Sequence, residues 1–328
     1  MMGPRAGPGM FRTTPDEITG GGRVRTRWVA WTGLALMAGC GAGRAPVAPV
    51  AVEAPVKVAR CLLKYRDDRA ASRARARLER DIARYARGRP GRVVYGALDL
   101  VSGVRLGHGE HEHDMITASG AKVDILAALL LRRDGRLDGD ERDLAARMIK
   151  ESDNSAADAL WSRVGGGGAM SDFYRRIGLR ETTPGPSSFW GGTNTSPADR
   201  IRLLKALIKG AGGAKGLTAA DRGLVLGLMG KVQPDQAWGV SAAARPGDRV
   251  ALKNGWTPRP FIQNTWAVTS YGRIAGPGRD LLLSVQTDRQ PGEGTGVQTI
   301  EGIARMIGAR LDGLSPVTTR PCPTNPIA

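Results

Sequence analysis

One lysine lies in an otherwise apolar helical segment of this chain. The stretch MITASGAKVDILAALLL contains Lys122 and Asp124 as its only charged residues. It has no Gly or Pro between Ala121 and Leu131, which predicts a buried helix, although lysine is rarely buried without a partner. Ser119 precedes Lys122 by three residues at the start of this helix, and residues three apart share a helix face. We therefore expect the Ser119 hydroxyl and the Lys122 amine to lie within hydrogen-bonding distance.

This pair of side chains has two interpretations. In the first, a desolvated Lys122 loses its proton readily and acts as the base that activates Ser119 as a nucleophile. In the second, Ser119 is a helix cap and Lys122 extends to solvent. An isolated S-x-x-K motif does not distinguish these two interpretations, so other features of the sequence have to decide between them.

The N-terminus predicts export. The stretch RVRTRWVAWTGLALMAGC has a basic start and an apolar run, Trp28–Ala38, that is too short to span a bilayer and fits a secretory signal. Its end, Met37-Ala38-Gly39-Cys40, resembles a bacterial lipobox; the alternative is a plain secretory peptide with an incidental cysteine. We predict a signal peptide at residues 1–39 and a lipidated Cys40 that anchors the protein to the outer face of the cell membrane. Residues 40–60, rich in Pro and Ala, would form an extended tether.

Composition limits the classes of partner. The 328 residues are 41% hydrophobic, as in soluble globular proteins, and the net charge is +17. The densest basic run, Arg66–Arg89, has Leu78, Ile82 and Tyr85 at helical spacing, so we interpret it as a packed helix with a solvated basic face. We predict a monomer that binds no nucleic acid and needs no cofactor.

The order of predicted elements gives the fold class. A helix, Arg66–Arg89, precedes two strands in RVVYGALDLVSGVRLGHG; a helical block extends from Ser119 to about Met229. Three strands follow, in RVALKNGW, FIQNTWAVTSYG and RDLLLSVQTD, and then a last helix. This order predicts a three-layer α+β domain at 61–324, with one antiparallel sheet built from both chain ends. The sheet lobe would be 61–117 and 248–324, and the inserted helical lobe 118–247.

Two further short motifs follow the S-x-x-K. Ser152-Asp153-Asn154 precedes a predicted helix, and Lys253-Asn254-Gly255 ends a predicted strand. Alone, the first is a helix cap and the second a strand running into a turn. Together, S-x-x-K, S-D-N and K-x-G in this order are the motif set of class A β-lactamases and penicillin-binding proteins.

The chain therefore resembles the class A β-lactamase-like branch of the penicillin-recognising serine hydrolases, over roughly residues 60–314. The resemblance makes Ser119 the nucleophile, Lys122 its base and Ser152 the proton relay to the leaving nitrogen. It also implies five substrate-binding residues: Asn154, Lys253, Asn254, Gly255 and Trp256. The backbone N–H groups of Ser119 and Trp256 would form the oxyanion hole.

The sequence departs from the family at three places. Asn254 stands where the family has Thr or Ser, so the carboxylate of the substrate would meet an amide donor. The link between Ser119 and Ser152 is short, which predicts a more open cleft unless Trp190 or Trp256 closes it. The usual E-x-x-L-N context of the deacylating base is absent, and Glu181 is the one glutamate in LRETTPGPSSFWGGTNTSPAD. We assign Glu181 as the candidate base and expect slow deacylation.

Histidine and cysteine raise two further questions. All three histidines lie in HGEHEHD, as His108, His111 and His113. This segment fits either a zinc site or an exposed polar loop, and we predict no metal.

Apart from Cys40, the chain has two cysteines, and two such remaining cysteines in an exported chain usually pair. We predict a disulfide between Cys61 and Cys322, because the first and last helices should pack side by side.

The resemblance implies a serine hydrolase that forms an acyl-enzyme on β-lactams or on the D-alanyl peptides of peptidoglycan that they mimic, with a connection to β-lactam breakdown and antibiotic resistance. One alternative is a penicillin-binding peptidase or esterase of the cell envelope. Another is a degenerate envelope lipoprotein that binds without catalysis. The joint presence of Ser119, Lys122, Ser152 and Asn154 argues against the last of these.

Overall fold

The computed structural model of the protein describes residues 62–186, 189–210 and 216–321. The elements are β1 (Leu62–Arg66), α1 (Asp68–Arg87), β2 (Arg92–Asp99), β3 (Arg105–His108), β4 (Met115–Ile116), α2 (Ala121–Arg132), α3 (Gly139–Lys150), α4 (Asn154–Val164), α5 (Gly166–Ile177), β5 (Asn194–Thr195), α6 (Pro197–Lys209), α7 (Ala219–Met229), β6 (Arg249–Arg259), β7 (Thr265–Gly276), β8 (Arg279–Gln290), α8 (Glu293–Arg310) and β9 (Val317–Pro321).

The central sheet is antiparallel and has the strand order β3-β2-β8-β7-β6. Two of its strands precede the helical block in sequence and three follow it, which confirms the predicted fold class. Side chains alternate between the two faces of each strand. In β8, Leu282 packs into one apolar core, while Leu281 and Leu283 pack into another on the opposite face.

Helices cover both faces of this sheet. On one face, α1 inserts Leu78 and Ile82 into a core that it shares with α8, and the Tyr85 hydroxyl donates to the Gln298 carbonyl at 2.9 Å. The other face carries helices α2 to α7, with α2 at their centre. The sheet and its two helical layers form one compact unit, so both layers belong to the same folded body.

Local signals in the sequence account for the ends of several helices. The Ser196 hydroxyl accepts from the Asp199 N–H at 3.0 Å and caps α6, whose first residue is Pro197. Gly210 ends that helix with φ of 83°, a left-handed conformation that favours glycine. Ser119 is different: it lies in a 3-10 turn, Ala118–Gly120, and no side chain caps α2.

Two strand details were not predicted from the sequence. The segments β1 and β9 form an antiparallel pair whose register runs from Leu62 with Pro321 to Arg66 with Val317. Each segment is only five residues long, and the tertiary fold is what brings them together. The other difference is at β7, which begins at Thr265 because Gln263 and Asn264 have φ near 50° in the preceding hairpin turn.

Within the described part of the chain, each helix is too short or too polar to cross a bilayer.

Candidate active site

A tight turn between β4 and α2 presents Ser119. The short strand β4 pairs with β5, and the Thr117 N–H donates to the Thr193 carbonyl at 2.8 Å. The next residue, Ala118, has φ of 45°, a conformation that costs a non-glycine residue free energy and is often found at functional sites. The turn leaves the Ser119 side chain half-buried at the N-terminus of α2.

Lys122 lies directly beneath this serine. The side chain of Lys122 is fully buried, and its amine contacts the Ser119 hydroxyl at 3.0 Å and the Ser152 hydroxyl at 3.1 Å. The same amine donates to the Ser152 carbonyl at 2.6 Å and to the Asn154 side-chain oxygen at 2.7 Å. These last two oxygens only accept, so they take two of the N–H groups. The remaining position on the nitrogen faces the two hydroxyls, either as a third N–H or, in the neutral amine, as a lone pair.

Ser152 joins the two buried lysines of the site. It lies between α3 and α4 with φ of 60°, while its neighbour Asp153 caps α4 by accepting from the Ala156 N–H at 2.9 Å. The Lys253 amine lies 3.1 Å from the Ser152 hydroxyl and donates to the Asn254 carbonyl at 3.0 Å. A continuous hydrogen-bonded path therefore connects Ser119, Lys122, Ser152 and Lys253.

Burial changes the protonation of both lysines. Desolvation lowers the pKa of Lys122 to about 8, although the charges of Asp153 and Asp158 oppose the change. Desolvation, together with the nearby charge of Lys122, lowers the pKa of Lys253 to about 7. A substantial neutral fraction of each amine is therefore present near neutral pH, which a general base requires.

Gly255 allows strand β6 to pass close to the serine. A Cβ at this position would lie 2.3 Å from the Thr117 carbonyl oxygen and 2.8 Å from the Ser119 nitrogen. Any side chain would therefore push the strand away from the turn. The close approach brings the backbone of β6 beside the Ser119 N–H, the group that the sequence assigns to the oxyanion hole together with the Trp256 N–H.

The side chains of Asn254 and Trp256 do not face this cleft. Lys253 and Gly255 face Ser119, so the residues that alternate with them lie on the opposite face of the sheet. Asn254 is fully buried and donates its amide protons to the carbonyls of Gln236 and Trp238, at 2.8 and 3.1 Å. Both amide protons are therefore directed to protein carbonyls, and the role of Asn254 as a donor to the substrate stays a prediction. The Trp256 ring packs on Trp238 at 5.8 Å between centroids, so Trp256 contributes only its backbone to the cleft.

The buried ring of Trp190 packs against the Lys122 amine. The Lys122 amine lies 4.7 Å from the centroid of the Trp190 ring, within the range of a cation–π contact. The indole N–H donates to the Asp158 carboxylate at 2.6 Å. The sequence offered Trp190 and Trp256 as alternatives for closing the cleft. It did not single out Asp158, which lies four residues after Asn154 and hence on the same side of α4.

Glu181 belongs to a different cluster. One carboxylate oxygen lies 2.7 Å from His111 Nδ1; the other accepts from the Ser196 hydroxyl and from Arg202 at 3.1 Å. Burial raises the pKa of Glu181, but the hydrogen bonds from Ser196 and His111 and the charge of Arg202 outweigh this effect and lower it. Both oxygens are thus engaged by His111, Ser196 and Arg202 rather than by Ser119 or Lys122, and the role of Glu181 as the deacylating base stays a prediction.

His108 is the last residue of β3, and His111 and His113 lie in the exposed loop that follows it. His111 bonds Glu181, His113 Nδ1 donates to the His111 carbonyl at 3.2 Å, and His108 stacks on Tyr95. Among the residues that the structure describes, no group of three or more His, Cys, Asp or Glu side chains is arranged to hold a metal ion. Cys40, Cys61 and Cys322, predicted to carry a lipid and a disulfide, lie outside the described residues.

Comparison with known proteins agrees with this geometry. A family model described as the beta-lactamase enzyme family matches residues 138–311, slightly more than half of the chain. A protein from Mycobacterium tuberculosis named "Putative lipoprotein LppW" is 29% identical over 221 residues, 64% of this chain and 67% of that one. The protein of the same name from Mycobacterium bovis matches to the same extent.

Solved structures show the same fold. A beta-lactamase from Xanthomonas campestris pv. campestris superimposes with a TM-score of 0.62 at 22% identity, over 73% of this chain and 98% of that chain. The structure of PBP-A gives a TM-score of 0.61 at 22% identity, over 72% and 96%. Together with the match to the family model, the shared fold shows that the chain belongs to the beta-lactamase enzyme family.

Proposed function

We propose that the protein is a serine hydrolase that forms an acyl-enzyme on Ser119. The neutral Lys122 amine accepts the Ser119 proton, and the serine oxygen attacks the carbonyl carbon of the substrate. The N–H groups of Ser119 and Trp256 stabilise the oxyanion. The proton then reaches the leaving nitrogen through Ser152, next to Lys253, and the bond between carbonyl and nitrogen breaks. The observation that carries this proposal is the contact of one buried amine with the hydroxyls of both Ser119 and Ser152.

The substrate class follows from the family and from the polar groups that remain available. We infer β-lactams, or the D-alanyl peptides of peptidoglycan that they mimic. Asn154 is exposed at the start of α4, where its amide can hold the side chain of a substrate. Because Asn254 is buried and its amide protons are taken, a substrate carboxylate would depend on Lys253 and on backbone groups. A loss of affinity for anionic substrates is therefore expected relative to a site with an exposed hydroxyl.

Slow release of the acyl group is part of the proposal. Hydrolysis of the ester needs a base that activates water beside Ser119. Glu181 is engaged elsewhere, and the space over Lys122 is filled by the Trp190 ring rather than by a carboxylate. Acylation would then be faster than deacylation, as in a penicillin-binding protein. This behaviour favours an envelope peptidase or esterase over an enzyme that confers antibiotic resistance.

The cell envelope is the proposed location. The basic and apolar leader, the lipobox-like Met37–Cys40 and the Pro-rich tether support export and lipid attachment at Cys40. The mycobacterial relative is itself named as a lipoprotein. The protein would act as a monomer held at the outer face of the membrane, without a cofactor or a nucleic-acid partner.

Intact-mass analysis after incubation with a fluorescent penicillin tests the proposal. The protein should gain the mass of one ring-opened penicillin, and the adduct should be absent in Ser119→Ala. Ser171→Ala is the matched control, because Ser171 lies on α5 and its hydroxyl donates to the Gly167 carbonyl within the same helix. An adduct that survives in Ser119→Ala refutes the assignment of the nucleophile. A folded protein that gains no adduct favours the non-catalytic lipoprotein.

The rate of release has its own test. Stopped-flow hydrolysis should show a burst of one equivalent followed by a slow steady state. Rapid linear turnover would contradict the proposed absence of a deacylating base. The Trp190→Phe variant, which keeps a ring but loses the hydrogen bond to Asp158, should change the slow phase more than the burst.

A further inference from the structure

The basic face of α1 plays no part in the site described above. Along this helix, arginines recur at spacings of three and four residues: Arg69, Arg73, Arg77, Arg80, Arg84 and Arg87. At 100° per residue these six positions fall within an arc of about 80°, and only arginines fall within that arc. The buried Leu78 and Ile82 lie on the opposite side of the helix. We call these six residues the arginine row.

The arginine row is exposed and almost without partners. All six side chains are exposed. Within the described residues, Arg84 alone of the row has an ion pair, a 3.3 Å contact with Asp81 in which the Arg84 side chain is 75% exposed. Like charges three or four residues apart destabilise a helix. Repulsion among these arginines therefore lowers the stability of α1, and an anionic partner would offset the repulsion.

We propose that the arginine row binds the anionic phospholipid headgroups of the membrane to which Cys40 is attached, an inference that rests on the proposed lipid anchor. The row is straight and extends about 27 Å along the helix axis. The guanidinium group pairs with phosphate oxygens in a bidentate manner. The arc contains no apolar side chain, so the contact would be electrostatic adsorption at the surface rather than insertion.

The position of α1 in the chain supports this partner. Residues 41–61 separate Cys40 from the first strand, and a segment of that length reaches at most about 75 Å. With Cys40 inserted in the membrane, this tether would confine the row to a layer of limited depth at the anchoring leaflet, which raises its effective concentration there. The row also lies on the face of the sheet opposite to Ser119 and Lys122, because α1 packs into the core that contains α8. Docking through it would leave the cleft open to substrate.

Vesicle co-sedimentation tests membrane binding by the arginine row in a protein that carries no lipid on residue 40. The protein used is residues 40–328 with Cys40→Ala, so that neither the leader nor a lipid contributes to binding. It should bind vesicles containing phosphatidylglycerol, bind pure phosphatidylcholine far more weakly, and be released by salt. Replacing Arg73, Arg77, Arg80 and Arg84 by Gln should reduce affinity roughly fivefold per arginine, by several hundredfold in total.

A matched variant separates this surface from the overall charge. Four exposed arginines outside α1, Arg105, Arg132, Arg142 and Arg249, are replaced by Gln, which gives the same net charge. This variant should keep most of the affinity, and both variants should keep the circular dichroism spectrum and the rate of acylation by penicillin. Equal losses in the two variants would overturn the proposal. So would binding without a preference for phosphatidylglycerol, or tighter binding to duplex DNA at the same salt, which would point to a nucleic-acid partner.

The vesicle-binding measurement does not depend on the proposed catalytic activity. Lipidation of the full chain is read separately, from the mass of the protein extracted from membranes, and acylation is read from the penicillin adduct. A protein that acylates but ignores anionic vesicles refutes only the docking surface. A protein that binds vesicles but gains no adduct refutes only the proposed activity.

Discussion

The rate of acylation should follow the protonation of Lys122. With its pKa lowered to about 8, about a tenth of the molecules carry a neutral Lys122 at pH 7, and about nine tenths do at pH 9. A lysine with the ordinary pKa of about 10.4 would be neutral in fewer than about one molecule in a thousand at pH 7. Burial therefore increases the active fraction by a factor of a few hundred. The acylation rate constant should rise about tenfold between pH 7 and pH 9 and then level off.

Stopped-flow measurement with a fluorescent penicillin between pH 6 and pH 10 checks this profile. Lys122→Arg should abolish acylation, because a guanidinium keeps its charge and cannot accept the proton. Lys231→Arg makes the same change at an exposed position and should leave the profile intact. A flat profile, a midpoint near the ordinary lysine pKa, or normal acylation by Lys122→Arg would refute the role of Lys122 as the base.

The same lowered pKa values predict a change in stability with pH that needs no substrate. Lys122 and Lys253 have pKa values of about 8 and about 7 in the folded protein, whereas the unfolded chain keeps them near about 10.4. Between pH 8 and pH 9.5 the unfolded chain binds more protons, so the free energy of unfolding should rise with pH, by up to about 1.4 kcal/mol per pH unit for each lysine. Urea unfolding at several pH values measures this slope. The slope should decrease when both lysines are replaced by Met, and an unchanged slope would contradict the lowered pKa values.

Two further substitutions and one thiol titration test the framework around the site. Arg200→Met should reduce the free energy of unfolding by about 3–5 kcal/mol in urea titrations, because it leaves Asp124 as a buried charge without its 2.8 Å partner; adding Asp124→Leu should recover much of this loss, and equal instability of the double variant would contradict the reasoning. Gly255→Ala should abolish penicillin labelling while the protein remains folded, since the new Cβ would lie 2.3 Å from the Thr117 carbonyl; normal labelling would show that the close approach is not needed. Cys61 and Cys322 are the sequence neighbours of Leu62 and Pro321, which pair in the β1–β9 ladder, so thiol titration of the oxidised Cys40→Ala variant should find neither of them free, and reduction should lower Tm, since so long a cross-linked loop contributes on the order of 5 kcal/mol. Two titratable thiols in the unreduced protein would exclude the bridge.

The sequence identifies the parts of the site whose geometry depends on local structure. Residues three apart on a helix share a face, so the approach of Lys122 to Ser119 could be predicted from the S-x-x-K alone. The strand and helix patterns similarly predicted one antiparallel sheet from both chain ends, because apolar alternation shows which segments are half-buried. Gly255 was named through the K-x-G motif, and the close approach of β6 to the serine turn is the physical reason that the motif needs glycine there.

Only the tertiary structure decided the contacts between segments that lie far apart in sequence. The burial of Asn254 depends on the carbonyls of Gln236 and Trp238, which no local pattern places over β6. The position of Trp190 over Lys122 depends on its hydrogen bond to Asp158, and Glu181 is taken by His111, seventy positions away. A side chain chooses its partner by distance and solvent exposure in the folded chain, and these depend on how helices and strands pack together. The sequence therefore determined which groups can react, and packing determined which of them reach the serine.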